Sequence, residues 1–217
     1  MVTNEDFPAC RLDTATFVPP RERLPPPFSL AFKLAERRIG GPLGGLRALA
    51  HYPPALVGAG LLEAFVCHGD KDAPPRLLAL VRLAVSYAVS CPFCVDLNGA
   101  DFRSLGIREE ELAALRGEAD PEGMSGFSEG EKAAVAYARA VSATPVRISD
   151  AEADRLSAAL GTRGFVIVAS TAAQVNFWAR LLQALGAPPA FVAADPGALA
   201  LERFANPRRD QKKGLKN

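Results

Sequence analysis

The chain has 217 residues, 49% of them apolar, and a formal net charge of +1 at neutral pH. That length gives one or two domains with ample material for a core. The near-zero charge excludes a whole-protein electrostatic design for nucleic acid or an anionic membrane.

The N-terminus, MVTNEDFPACRL, carries early acids and lacks the apolar core of a secretory signal. The longest apolar stretches are broken by Arg82, or by Gln174, Asn176 and Arg180, and fall short of the about 20 residues a membrane helix needs. The expectation is a cytoplasmic protein with neither a membrane nor a nucleic-acid partner. Thiols are kept reduced in that compartment, so a close cysteine pair there points to catalysis or metal binding before a structural staple.

Residues 1–27 read as a Pro-rich arm, because FVPP and LPPPF enforce extended backbone and remove donors. Phe28 to Arg38 reads as a helix that GGPLGG breaks. The glycine cluster lacks the GxGxxG order, a Gly-Lys-Ser/Thr ending and a preceding strand, so it reads as a turn between helices. Pro53 and Pro54 open the next helix, PPALVGAGLLEAFV, where proline suits the first turn. HGDKDAPP is a break. Residues 76–90 form a helix that is apolar nearly all round, with Arg82, Ser86 and Ser90 as its one polar stripe, the pattern of a buried rod.

Pro92 restarts the helix, which is expected to run to about Leu105 before Gly106 caps it. IREEELAAL is a short helix with acids in its first turn. FSEGEKAAVAYARAV opens on Ser128 with Glu131 three residues on, a capping box. ISDAEADRLSAAL starts at Ser149 or Asp150, and Arg163 to Leu185 forms a long helix ending in Gly186. Its FVIV stretch has strand propensity but no strand to pair with. Phe165, Phe177 and Trp178 in that helix read as core. The fold is all-α: a single helical domain over residues 28–200 with eight or nine helices. A basic tail, 201–217, follows as a solvated end.

The segment SYAVSCPFCVDLN places Cys91 and Cys94 one turn apart behind a proline. Residues i and i+3 of a helix share a face, with Cβ atoms about 5–6 Å apart, near enough to close a disulfide after a modest adjustment. Unpaired N–H groups at a helix start also stabilise a thiolate, so one sulfur is expected to face solvent in a reactive form. Two other readings stand beside the redox dithiol. A metal site would need further ligands from Cys10, His51, Cys67 and His68, and no second CxxC or HxxxH pair supplies them. Alternatively both sulfurs are small buried apolar groups. Asp96 and Asn98 follow the pair, and the Asn98 amide is placed to bond a thiolate or a substrate, or simply the helix itself.

The stretch LLALVRLAVSYAVSCPFCVDLNGADFRSLGIREEELAAL resembles the alkyl hydroperoxidase D-like group of the carboxymuconolactone decarboxylase superfamily. The later helices, through NFWAR and ALG, are similar as well, and the likeness covers roughly residues 45 to 190. It implies an all-helical, oligomeric protein whose cysteine pair reduces peroxides or exchanges with partner disulfides. Cys91 and Cys94 match that pair. By the same resemblance Cys94 attacks and Cys91 resolves, whereas helix-terminus electrostatics favours the reverse order.

Two positions depart from the family pattern. Where its redox members carry a histidine four residues after the second cysteine, this chain has Asn98. Where they carry a glutamate twelve residues before the first, it has Ala79. Asparagine and alanine cannot shuttle a proton. Asp96, Glu63 and His68 are the candidates to take over. The expected activity is therefore a weak thiol peroxidase or disulfide reductase. It would need no metal and no organic cofactor, and an external dithiol would regenerate it. A lactone-directed lyase and a non-enzymatic helical binding module are the competing readings.

Overall fold

The computed structural model describes residues 17–26, 28–39, 43–66, 68–100 and 102–187. Cys10, Cys67 and the tail 201–217 lie outside these residues. Eight α-helices follow in order: α1 (Phe28–Ile39), α2 (Gly44–Ala48), α3 (Pro53–Phe65), α4 (Pro75–Ala88), α5 (Pro92–Gly99), α6 (Glu109–Leu115), α7 (Glu129–Ser142) and α8 (Asp150–Ala184). Short 3-10 turns cover Leu49–His51 and Pro121–Gly123. Among the described residues the only β pairing is an isolated bridge, Asp70 to Ala73, in the break before α4.

The apolar rod is the centre of the molecule. Leu78, Leu80, Val81, Leu83, Ala84 and Val85 of α4 are wholly buried, and α4 packs against α5, α7 and α8. Each buried leucine or valine contributes roughly 1.5–3 kcal/mol of transfer free energy. The helix starts follow local chemistry. Ser128 and Ser149 each accept from the backbone N–H three residues on, and Glu131 and Glu152 reach back to the capped residues. Gly161, at φ 66° and ψ 174°, breaks the helical path inside α8, so two helices abut there.

A buried ion cluster ties α4 to α6 and α7. Glu111, 1% exposed, accepts from the Arg76 guanidinium at 3.1 and 3.3 Å and from the Arg108 backbone N–H at 2.8 Å, while Arg76 Nε also meets Glu131 at 2.8 Å. Burial pushes the Glu111 carboxyl up, but Arg76 and the Arg108 N–H pull harder, and the net shift is downward. A second clamp fixes α1 to α2, where Glu36 takes both Nε and Nη2 of Arg47 at 2.8 Å and the Leu43 N–H at 3.2 Å. Residues 17–26 lie against these helices, with Val18 N–H on Leu185 O, and Arg21 bonded to the carbonyls of Arg47 and Ala50.

Two expectations change. Helix α5 ends at Gly99, not near Leu105, because Asn98 and Gly99 are weak helix formers and the chain then turns tightly to bury Phe102. Phe177 is 42% exposed rather than core, since it lies on the outer side of α8 while Trp178 faces inward.

Candidate functional site

The turn that presents the cysteines is built by the end of α4. Ser90 N–H bonds Tyr87 O and Cys91 N–H bonds Ser86 O, the paired bonds of a Schellman motif with Ser90 in the left-handed region at φ 50°. Cys91 therefore closes one helix and caps the next. Its sulfur accepts the Cys94 N–H at 3.3 Å, and Pro92 takes the first helical position, where its missing N–H costs nothing.

Cys91 and Cys94 are joined as a disulfide, their Cα atoms 5.3 Å apart. Their exposures are 1% and 3%. The expected solvent-facing sulfur is thus corrected: neither meets bulk water, because apolar groups including Phe93 and Leu97 pack around the turn. Access comes from another direction. Cys94 lines a cavity of about 440 Å³ bounded by α1, α3, α5 and α8, with Phe28, Phe32, Leu56, Phe93, Leu97 and Trp178 as its main apolar walls. Cys91 does not line it.

One side of this cavity is polar. Glu63 Oε2 accepts from the Gln174 amide and from Trp178 Nε1, the latter at 3.1 Å. Its other oxygen lies 3.9 Å from His68 Nε2, and His68 Nδ1 lies 3.3 Å from Arg82 Nη2. Glu63, Arg82, Asn98 and Gln174 all border the cavity. Because a carboxylate only accepts, the contact with Glu63 identifies the donating end of the Gln174 amide as Nε2.

The six residues singled out by sequence fall into three positions. Cys94, Glu63 and Asn98 share the cavity, and His68 contacts Glu63 at its edge. The Asn98 amide donates to Ser86 Oγ at 3.1 Å, and Ser86 in turn donates to Arg82 O. Asp96 is buried away from the cavity, where its charge acts on Tyr87. Cys91 stands behind Cys94. Ala79 packs in the main core. His51 bonds the Pro19 carbonyl, and among the described residues no cluster of three His, Cys, Asp or Glu stands ready to hold a metal. Sequence reading missed Gln174 and Trp178 as site residues. Their spacing of four on one helix face was the available signal, but it reads equally as packing.

Residues 59–140 match the carboxymuconolactone decarboxylase family. The chain is 24% identical to the Escherichia coli K12 protein YnjA over 171 residues, 79% of this chain and 92% of that one. Its fold is similar to that of the debrominase Bmp8 in complex with 2,3,4-tribromopyrrole, with TM-score 0.68 and 20% identity over 88% of this chain and 98% of Bmp8. It is also similar to an alkylhydroperoxidase AhpD core protein from Ralstonia eutropha JMP134, a peroxidase-related protein, with TM-score 0.64 and 16% identity over 84% and 90% of the two chains.

Proposed function

We propose that this chain, which belongs to the carboxymuconolactone decarboxylase superfamily and has an AhpD-like fold, is a thiol-dependent oxidoreductase whose Cys91–Cys94 pair reduces an organic substrate entering the cavity. The observation that carries this reading is the position of Cys94: it is the one sulfur of the pair on the cavity wall, with its partner close enough to close a disulfide. The cavity falls in the size range of small-molecule sites, and its apolar walls suit a peroxide with a bulky apolar group better than hydrogen peroxide.

In the forward half-reaction the Cys94 sulfur attacks the terminal oxygen of R–O–O–H. The S–O bond forms, the O–O bond breaks, and the leaving alkoxide takes up a proton to give R–OH, so the thiol becomes a sulfenic acid. The Cys91 sulfur then attacks Cys94, forming the disulfide and releasing water. An external dithiol restores both thiols by exchange and is itself oxidised to a disulfide. In that step Cys91 is the favoured leaving group, because the Cys94 N–H holds its thiolate. On this reading Cys94 meets the substrate, as the likeness to the family implies, and Cys91 carries the more stable negative charge, as the helix terminus favours.

A second reading is reductive dehalogenation. The aromatic walls beside a dithiol and the fold shared with a debrominase favour it. Attack of Cys94 on a ring bromine would leave a carbanion that takes a proton, and Cys91 would then displace bromide to form the same disulfide. The protein is further read as a cytoplasmic homo-oligomer, in which the exposed Leu61 and Phe65 of α3 suit a subunit contact.

The test is to reduce the protein fully, add cumene hydroperoxide or 2,3,4-tribromopyrrole at low excess, and map the cysteines by mass spectrometry. Formation of a Cys91–Cys94 disulfide with stoichiometric cumyl alcohol supports the peroxidase reading, and formation with stoichiometric bromide supports the second. If both thiols persist with both probes, the dithiol reading fails.

A further inference from the structure

We infer that Glu63 is the proton-transfer residue of the dithiol reaction: it takes the proton of the Cys94 thiol and returns it to the leaving atom of the substrate. This rests on the dithiol reading above and supplies what that reading lacks, since Ala79 and Asn98 stand where proton-carrying side chains were expected.

The argument begins with how the carboxylate is held. Glu63 is on α3, and α8 fixes it through two N–H donors on a single oxygen, Gln174 Nε2 and Trp178 Nε1 at 3.1 Å. Two donors on Oε2 leave Oε1 as the atom that gains and loses a proton. A carboxylate doing only surface work needs no such clamp, and exposed ion pairs contribute little to stability. Glu63 is itself 48% exposed, but its donors come from α8, and one of them, Gln174, is 4% exposed.

The second argument is position. Glu63 and Cys94 sit on different helices and line the same cavity, so a substrate that fills it is bordered by both. Of the remaining groups around Glu63, α8 offers only the neutral Gln174 and Trp178. The segment after α3 offers His68, 3.9 Å from Oε1, and α4 offers Arg82, which contacts His68. Arg82 borders the cavity itself, and His68, 61% exposed, offers a route for proton exchange between Glu63 and water. His68 is a positioning and relay group in this scheme and does not reach the substrate.

The proton count closes. The Cys94 thiol proton passes to Glu63 Oε1, the thiolate forms the S–O bond, and the alkoxide leaving from the O–O bond recovers that proton. A positioned acid–base group of this kind contributes roughly 10²–10⁴-fold.

The experiment follows disulfide formation in the reduced full-length protein by stopped flow, using the fluorescence of Trp178, the single tryptophan of the chain. The probe is cumene hydroperoxide, and the variants are Glu63→Gln, Glu63→Asp and His68→Gln, each compared across pH. The expected result is a loss of roughly 100-fold or more in Glu63→Gln together with disappearance of the acidic limb of the pH profile. Glu63→Asp should keep that limb at a reduced rate, as should His68→Gln. Reduction of the preformed disulfide by dithiothreitol serves as the control that is not routed through the substrate, and it should change little in any variant. Glu63→Gln reacting within about twofold of wild type, or slowing with the pH profile unchanged in shape, would overturn the assignment and leave the dithiol reading standing. No reaction in the wild-type protein would overturn both.

Discussion

The backbone N–H of Cys94 donates to the Cys91 sulfur across 3.3 Å, so one cysteine caps the helix that carries the other. In the reduced protein this donor and the helix terminus favour charge on Cys91. Cys91 should therefore ionise more readily than Cys94. Alkylation with iodoacetamide across pH, resolved by peptide mapping, measures both. The reverse order would remove the reason for assigning Cys91 as the leaving thiolate.

Substrate size is set by the walls of the cavity. Gly60 borders it, and a Cβ added there meets no atom within 4 Å. Gly60→Leu should therefore occupy the space while leaving α3 intact. The prediction is a rise in KM for cumene hydroperoxide of about tenfold, the equivalent of about 1.4 kcal/mol of lost binding, with hydrogen peroxide turnover unchanged. Equal losses with both peroxides would place the reaction outside this cavity.

Stability should respond to the buried ion cluster. Glu111→Ala removes the carboxylate shared by Arg76 and Arg108, and because Arg76 keeps Glu131 and Arg108 is half exposed the loss should be roughly 1–3 kcal/mol. The Glu111 carboxyl is depressed in the folded state, so the stability it adds is present above the unfolded carboxyl value of ~4.3. That contribution is lost as pH falls through the lower folded value. Urea denaturation from neutral to acid pH should show a decline that Glu111→Gln flattens. A decline of the same steepness in the variant would assign acid sensitivity to other groups.

Much of this architecture is legible in the sequence, for identifiable reasons. The serine caps at 128 and 149 with their glutamates, the prolines opening α3 and α5, and the unbroken apolar rod of α4 are local signals, and the local chemistry decides them. The turn before Cys91 was harder to read, because Ser90 occupies the left-handed position usually marked by glycine, and its φ of 50° follows from the helix-ending bonds around it. The cavity was not legible at all. Residues from α1, α3, α5 and α8 meet there, and no spacing rule connects Phe32 with Trp178 or Glu63 with Gln174. The burial of both cysteines has the same origin, since they share an apolar cluster with residues far away along the chain, among them Phe32, Leu49 and Leu182.

The Glu36–Arg47 clamp that holds α1 in place bears directly on that cavity. The Arg47 guanidinium, and with it the Leu43 N–H, holds the Glu36 carboxyl below the usual range against the opposing pull of burial. Glu36→Gln should loosen α1, seen as faster hydrogen exchange across residues 28–39, at a cost of about 1–3 kcal/mol. Thiol alkylation at Cys94 should quicken in the same variant. Unchanged alkylation would show that α1 does not gate the sulfur.

The most direct measurement is the fate of the two sulfurs when reduced protein meets one equivalent of cumene hydroperoxide. The account predicts one equivalent of alcohol and an intramolecular Cys91–Cys94 bond, with Cys91→Ser stopping at an oxidised Cys94 and Cys94→Ser failing to react. Intact thiols on both residues after the peroxide has been exhausted or left untouched would contradict it.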